Sequence, residues 1–171
     1  MSAPAPEIPE AKDRFEKSLA VSIACMAVML SFITDHGDDA KTDAILSTNE
    51  ATNAWSYFQA KSTKQHVTES DLHLLGALEL REGTDIVAKL EAELARYEAE
   101  KAEIKATAEE LAAQASHASA VDERAGQGAL FLQLAIVLAS VAILARWSKL
   151  WVVSLLVALL GTGIGLSSWM L

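Results

Sequence analysis

The residues whose types could hold a metal are the four histidines, and two of them stand among carboxylates. His36 lies between Asp35 and the pair Asp38 and Asp39; His66 lies near Glu69, Asp71 and His73; His117 stands alone. A metal site needs several ligands converging at a fixed geometry. These residues follow no recognised ligand spacing, so the expectation is solvated polar side chains near helix ends and no metal. The single cysteine, Cys25, lies inside an apolar run, where it can form no intrachain disulfide and belongs to no zinc spacing. Nothing resembles a nucleophile–base triad, a carboxylate pair or a phosphate loop. The sequence therefore predicts no catalytic residues, no cofactor and no enzyme.

A different chemistry is suggested by TNEATNAWSYFQAKSTKQ, Thr48 to Gln65, where amides, hydroxyls and aromatics replace charge. The stretch has neither Gly nor Pro and can run as one helix. Trp55 and Phe58 share a helical face, and aromatic stripes at that spacing usually bury. Tyr57 is expected nearly opposite, with Asn49, Asn53 and Lys64. Amides are costly to bury without partners, so this second face is the candidate surface for a neighbouring copy or another subunit.

The elements that position this stretch are set by an uneven placement of apolar residues. The chain has 171 residues, 51% of them hydrophobic. Three runs are nearly free of charge: residues 18–34, 128–145 and 150–171. The last two have the length to cross a ~30 Å hydrocarbon core, and the first is near the lower limit. Lys12, Arg14 and Lys17 before the first run resemble the basic region of a signal peptide. TDHGDD follows, however, where a small-residue cleavage site would be needed, so a retained anchor is expected after a tail at 1–17. Residues 35–126 hold 9 Lys and Arg against 19 Asp and Glu, and an acidic surface of this kind repels nucleic acid.

Arg146 and Lys149, in the link RWSK between the second and third runs, mark a cytoplasmic loop, as do the bases before the first run. The N-terminus is thus expected inside and residues 35–126 outside. Trp147, Trp151 and Trp169 fit interfacial anchors. Within the third run, Gly161 and Gly165 form a GxxxG pair that permits close helix packing, within the chain or between subunits. Ala20, Ala24, Ala27 and Ser31 make a comparable small-residue stripe on the first run. No ionisable residue lies well inside any run, which counts against an active transporter.

In the region outside, Val87, Leu90, Leu94, Tyr97, Lys101 and Ile104 alternate spacings of three and four. Ala108, Leu111, Ala115 and Ala118 continue the pattern, which is a coiled-coil seam over more than four heptads. Its expected partner is the earlier helix, roughly 38–66, through Ala44, Thr48, Ala51, Trp55, Phe58, Ser62 and Gln65. Residues 68–83 are read as a short helix at the tip. Thr68 and Asp71 have capping-box-like spacing, Leu72, Leu75, Leu78 and Leu80 are apolar, and Gly83 is a natural cap. Thr84 and Asp85 then start the long helix. The fold class is all-α: three transmembrane helices and an extramembrane antiparallel, coiled-coil-like hairpin.

Asn49, Glu50, Ala51, Trp55, Tyr57, Gln59, Ala60, Lys61, Ser62 and Lys64, with RWSKLWVVSL (146–155) as second support, resemble the bacterial membrane family called domain of unknown function 4337. The resemblance spans almost the whole chain; DERAGQGALF departs from the more basic approach to the second run expected there. It implies this architecture and a place in the bacterial cytoplasmic membrane, but no activity. The function expected is that of a structural or accessory membrane protein, self-assembling or scaffolding a complex through its hairpin. Its partners would be the lipid bilayer and further copies or membrane-complex subunits, with no nucleic acid. An oligomeric, cation-preferring channel is the alternative, since a ring of acidic domains would attract cations.

Overall fold

All three prolines, Pro4, Pro6 and Pro9, precede Glu10, so nothing later in the chain removes a backbone donor from a helix. The computed structural model describes residues 10–77 and 84–171. It contains α1 (Glu10–Ala77), α2 (Thr84–Ala145) and α3 (Ser148–Ser167), with a 3-10 turn at Ser168–Met170. Among the described residues there is no strand. Each helix is long and apolar enough to cross a membrane.

α1 runs unbroken through Gly37 and Thr68. Gly37, after the first apolar run, lies within α1, where a Cβ would stand 3.0 Å from that of Ala125. The glycine thus serves close packing and does not end a helix. Thr68 does not cap a new helix either. Its hydroxyl donates to the Lys64 carbonyl at 3.1 Å, one turn back, and α1 continues through Leu72 and Leu75 to Ala77. Leu78, Leu80 and Gly83 lie outside the described residues.

The contacts divide the chain into two compact units: Met1–Thr42 with Ala118–Leu171, and Asp43–His117. In the first unit α1 contributes large side chains and α2 small ones. Leu19 packs with Ala139 and Ala142, while Met26 and Ile33 cluster with Ala125, Ala129, Leu132, Ala135 and Ala158. Within the chain the small-residue stripe of α1 is not used: Ala20, Ala24, Ala27 and Ser31 are all exposed. The alanines of α2 already supply the small side of the contact, and α1 meets them with its bulky face. Outward positions such as Val28, Phe32, Leu134 and Leu159 are large and apolar.

The turn between α2 and α3 is tight. Trp147 N–H donates to the Ala142 carbonyl and Arg146 N–H to that of Ile143, both at 3.2 Å. This is the Schellman pattern, with Arg146 at the left-handed position (φ 52°) that glycine usually fills.

In the second unit, Tyr97, Ala108 and Ala115 of α2 are buried, and Val87, Leu90, Leu94, Lys101, Ile104 and Leu111 are half-buried. On α1, Ala44 and Ala51 are buried, while Ser47, Ala54, Trp55, Phe58 and Gln65 are half-buried. Thr48 is exposed, and Ser47 takes the place expected for it. Half-buried Ser47, Ala54 and Lys61 form, with Ala44, Ala51, Phe58 and Gln65, an alternation of three and four that passes through 47, not 48.

Candidate functional site

The centre of the second unit is a polar layer. Lys61 ion-pairs with Glu100, and its side chain is only 13% exposed. Its ammonium also lies 5.3 Å from the Tyr97 ring centroid and 5.4 Å from that of Tyr57. One turn further along α1, Lys101 donates to Gln65 Oε1 at 3.0 Å and stands 5.1 Å from the Phe58 centroid. Gln65 Nε2 in turn donates to Glu69 at 3.0 Å, and His66 Nδ1 pairs with the other Glu69 oxygen at 3.1 Å. Trp55 meets Phe58 edge to face, with centroids 5.6 Å apart.

These bonds shift the charges they join. The hydrogen bond from Lys61 holds the Glu100 carboxyl below its ordinary range, and the same bond raises the Lys61 ammonium above its own. Hydrogen bonds from His66 and then Gln65 lower Glu69. All three groups are held in their charged forms. The Lys61–Glu100 and Gln65–Lys101 bonds therefore tie α1 to α2 within this unit.

Beside the layer, Ala54, Tyr57, Glu100, Glu103, Ile104 and Thr107 line an open concavity of about 390 Å³. Tyr57, expected opposite Trp55, turns its ring to this groove and remains 55% exposed. At ~100° per residue, a position adjacent to Phe58 falls on the flank of the seam and not behind it. Asn49, Asn53 and Lys64 are exposed.

The glycine pair of α3 is used within the chain. A Cβ on Gly161 would lie 2.8 Å from that of Phe131 and 2.9 Å from the Gly128 carbonyl oxygen, and one on Gly165 would collide with the Ile33 side chain. Gly128 answers from α2, where a Cβ would stand 2.5 Å from the Gly165 nitrogen. Trp151 joins the same unit, donating from Nε1 to Ser22 Oγ at 3.2 Å and meeting Phe15 edge to face at 5.7 Å. Residues 15–171 match the family described as Domain of unknown function (DUF4337). The chain belongs to this family. No curated protein and no solved structure matches it.

The DUF4337 match takes in all three helices except the first residues of α1, so both units belong to the family's span. Of the residues that carried the resemblance, Ala51 is buried, Trp55, Lys61 and Ser62 are half-buried, and Asn49, Glu50, Gln59, Ala60 and Lys64 are exposed. Sequence reasoning passed over the Lys61–Glu100 and Gln65–Lys101 pairs. The available signal was the presence of polar residues, Gln65 and Lys101, in both seams, since a buried polar position demands a partner at its own level. His36 also departs from expectation. It lies within α1, half-buried and stacked on Trp169 at 3.8 Å and 10°, with Nε2 enclosed and unbonded. His66, His73 and His117 are exposed, and among the described residues no three His, Cys, Asp or Glu side chains converge as metal ligands.

Proposed function

We propose that this chain is a structural or accessory membrane protein that self-assembles, or holds a membrane complex together, through an antiparallel α1–α2 hairpin. The observation that carries the reading is the amide face of α1. Asn49 and Asn53 stand exposed without a hydrogen bond inside the described chain, with half-exposed Tyr57 one turn and exposed Lys64 about three turns further along α1. The interior of the same unit is filled by the aromatic and ion-paired layer, so its free chemistry lies on this surface.

In this reading, residues 18–34, 128–145 and 150–171 cross the cytoplasmic membrane of a bacterium, with the N-terminus and the Arg146–Lys149 turn inside and residues 35–126 outside. Three sufficiently long apolar helices support the placement, as do Trp147 and Trp169, which are 56% and 51% exposed where interfacial rings belong. The partners are the bilayer and further copies or complex subunits. Nucleic acid is disfavoured by the acidic surface, and neither cofactor nor catalysis enters. The test is the native mass and partner content of the protein in mild detergent. A monodisperse monomer with nothing copurifying overturns the proposal.

The second reading, an oligomeric cation-preferring channel, is favoured by one observation. Ala27, Leu30, Ser31, Thr34, Asp35 and Asp38 line a concavity of about 340 Å³ where the first apolar run ends in carboxylates. Planar-bilayer recording decides it, and silence from folded oligomer removes it.

A further inference from the structure

Charge is distributed very unequally between the two helices of the second unit. Twelve Asp, Glu, Lys and Arg side chains lie between Asp85 and Glu110 of α2, against five between Ala44 and Leu74 of α1. The five are Glu50, Lys61, Lys64, Glu69 and Asp71, and none falls on the face of α1 turned directly away from α2. That face repeats every three and four residues, as the buried seam does. In heptad terms its a positions are Leu46, Asn53, Ala60, Val67 and Leu74. Its d positions are Asn49, Ser56, Thr63 and Ser70. All nine are exposed. The corresponding outer face of α2 alternates alanines with Lys89, Arg96, Glu103 and Glu110.

The stripe is suited to burial. Ser56 and Thr63 already donate to carbonyls of their own helix, at 2.9 and 3.0 Å, so covering them strands no donor. Their size, with Ala60, permits close approach. The amides at 49 and 53 are free to bond across an interface. An asparagine at a single a position is a known device for fixing register and strand number in parallel coiled coils.

We propose that this stripe is where a second copy of the same chain docks, α1 against α1 in parallel, with Asn53 meeting Asn53 across a twofold axis. The inference rests on the membrane self-assembly reading above, because copies inserted with one orientation present α1 pointing the same way. Charge selects the occupant. Residues 43–117 carry 7 Lys and Arg against 14 Asp and Glu, so two copies repel over most of their surfaces. Along the stripe they do not. In parallel pairing the flanking residues Ile45, Thr52, Gln59 and His66 fall beside Glu50, Tyr57, Lys64 and Asp71 of the other copy, and no pair joins like charges.

The test uses the full chain in native membranes, with Cys25→Ser as background. Ser56→Cys and Thr63→Cys are oxidised in parallel with Ala106→Cys, which reports the outer face of α2. Parallel pairing brings like-numbered Cβ atoms within the ~4 Å a disulfide needs. Disulfide-linked dimer is expected at 56 and 63 and not at 106. Asn53→Lys, at an exposed position, is expected to keep its helical circular dichroism and fall to one copy by native mass. If native mass shows several copies but 106 links and 56 and 63 do not, the stripe is refuted and self-assembly stands. Links from 56 and 63 to a different polypeptide refute the second copy as occupant. A wild-type protein with one copy and no partner overturns both proposals.

Discussion

Replacing Gly128 by alanine should force α2 away from α3. The new Cβ would stand 2.5 Å from the Gly165 nitrogen, 2.6 Å from its Cα and 2.8 Å from the Gly161 oxygen, whereas ordinary contact begins at 3.4 Å. All three obstacles are backbone atoms, so no side chain can rotate aside and the helices must part by about 0.9 Å. A gap of that size forfeits roughly a quarter to a half of each dispersion contact along the pair. Overpacking typically costs about 1–3 kcal/mol. Against this stands the ~0.5–1 kcal/mol that alanine gains over glycine inside a helix. The net expectation is a loss of about 1–2 kcal/mol. Gly126 and Gly163 provide the contrast, because nothing lies within 4 Å of a Cβ at either. Gly126→Ala and Gly163→Ala should show only the gain. The assay is thermal unfolding in mild detergent, followed by tryptophan fluorescence from Trp151 and Trp169. Equal losses at 126 and 128, or no loss at 128, would refute the backbone-contact argument.

Other perturbations probe the turn and the second unit. Arg146→Gly should stabilise the α2–α3 turn by about 1 kcal/mol, since a non-glycine residue in the left-handed region costs ~1–2 kcal/mol; an unchanged or lower melting temperature would count against that strain. Trp55→Ala should cost about 2 kcal/mol, less than the ~3–5 of a fully buried tryptophan, whereas Tyr57→Ala should cost under ~1 kcal/mol; denaturant unfolding that ranks them in reverse contradicts the packing. Acid should loosen the second unit. Glu100 and Glu69 have lowered carboxyl pKa values, so their stabilisation is complete above the ordinary 4.5 and fades as pH falls through the lower folded values. Lys61, raised above 10.5, loses its contribution only at the alkaline end, as pH rises through the folded value. Urea midpoints measured from neutral to acid pH should decline more steeply in the native protein than in Glu100→Gln.

The all-helical architecture and the three apolar helices were legible because both rest on long-range regularities: a sustained spacing of three and four and apolar runs of bilayer length. The helix start expected at Thr68 failed because a local signal was satisfied within a longer helix. Threonine is punctuation when read locally, but here it bonds its own helix one turn back. The face expected through Thr48, Trp55 and Ser62 kept a strict alternation; the observed one also takes in Ser47, Ala54 and Lys61, because α2 packs against α1 centred between the two series. Ala20, Ala24, Ala27 and Ser31 could not be placed from α1 alone, because the small partner in that contact is on α2. The stack of His36 on Trp169 joins positions 133 residues apart, and no local pattern carries it.

The division of size between α1 and α2 in the first unit also governs how the sequence can drift. Alanines at 125, 129, 135, 139 and 142 can enlarge only by wedging two helices apart, while Leu19, Met26 and Ile33 can shrink and leave a void that neighbours partly fill. Substitution should therefore be one-sided, freer on α1 than on α2. An enlarged residue on α2 should persist where the facing residue of α1 has become smaller. Ile33 and position 165 form the sharpest such pair, because a methyl group on α3 is admissible only when that isoleucine gives up volume.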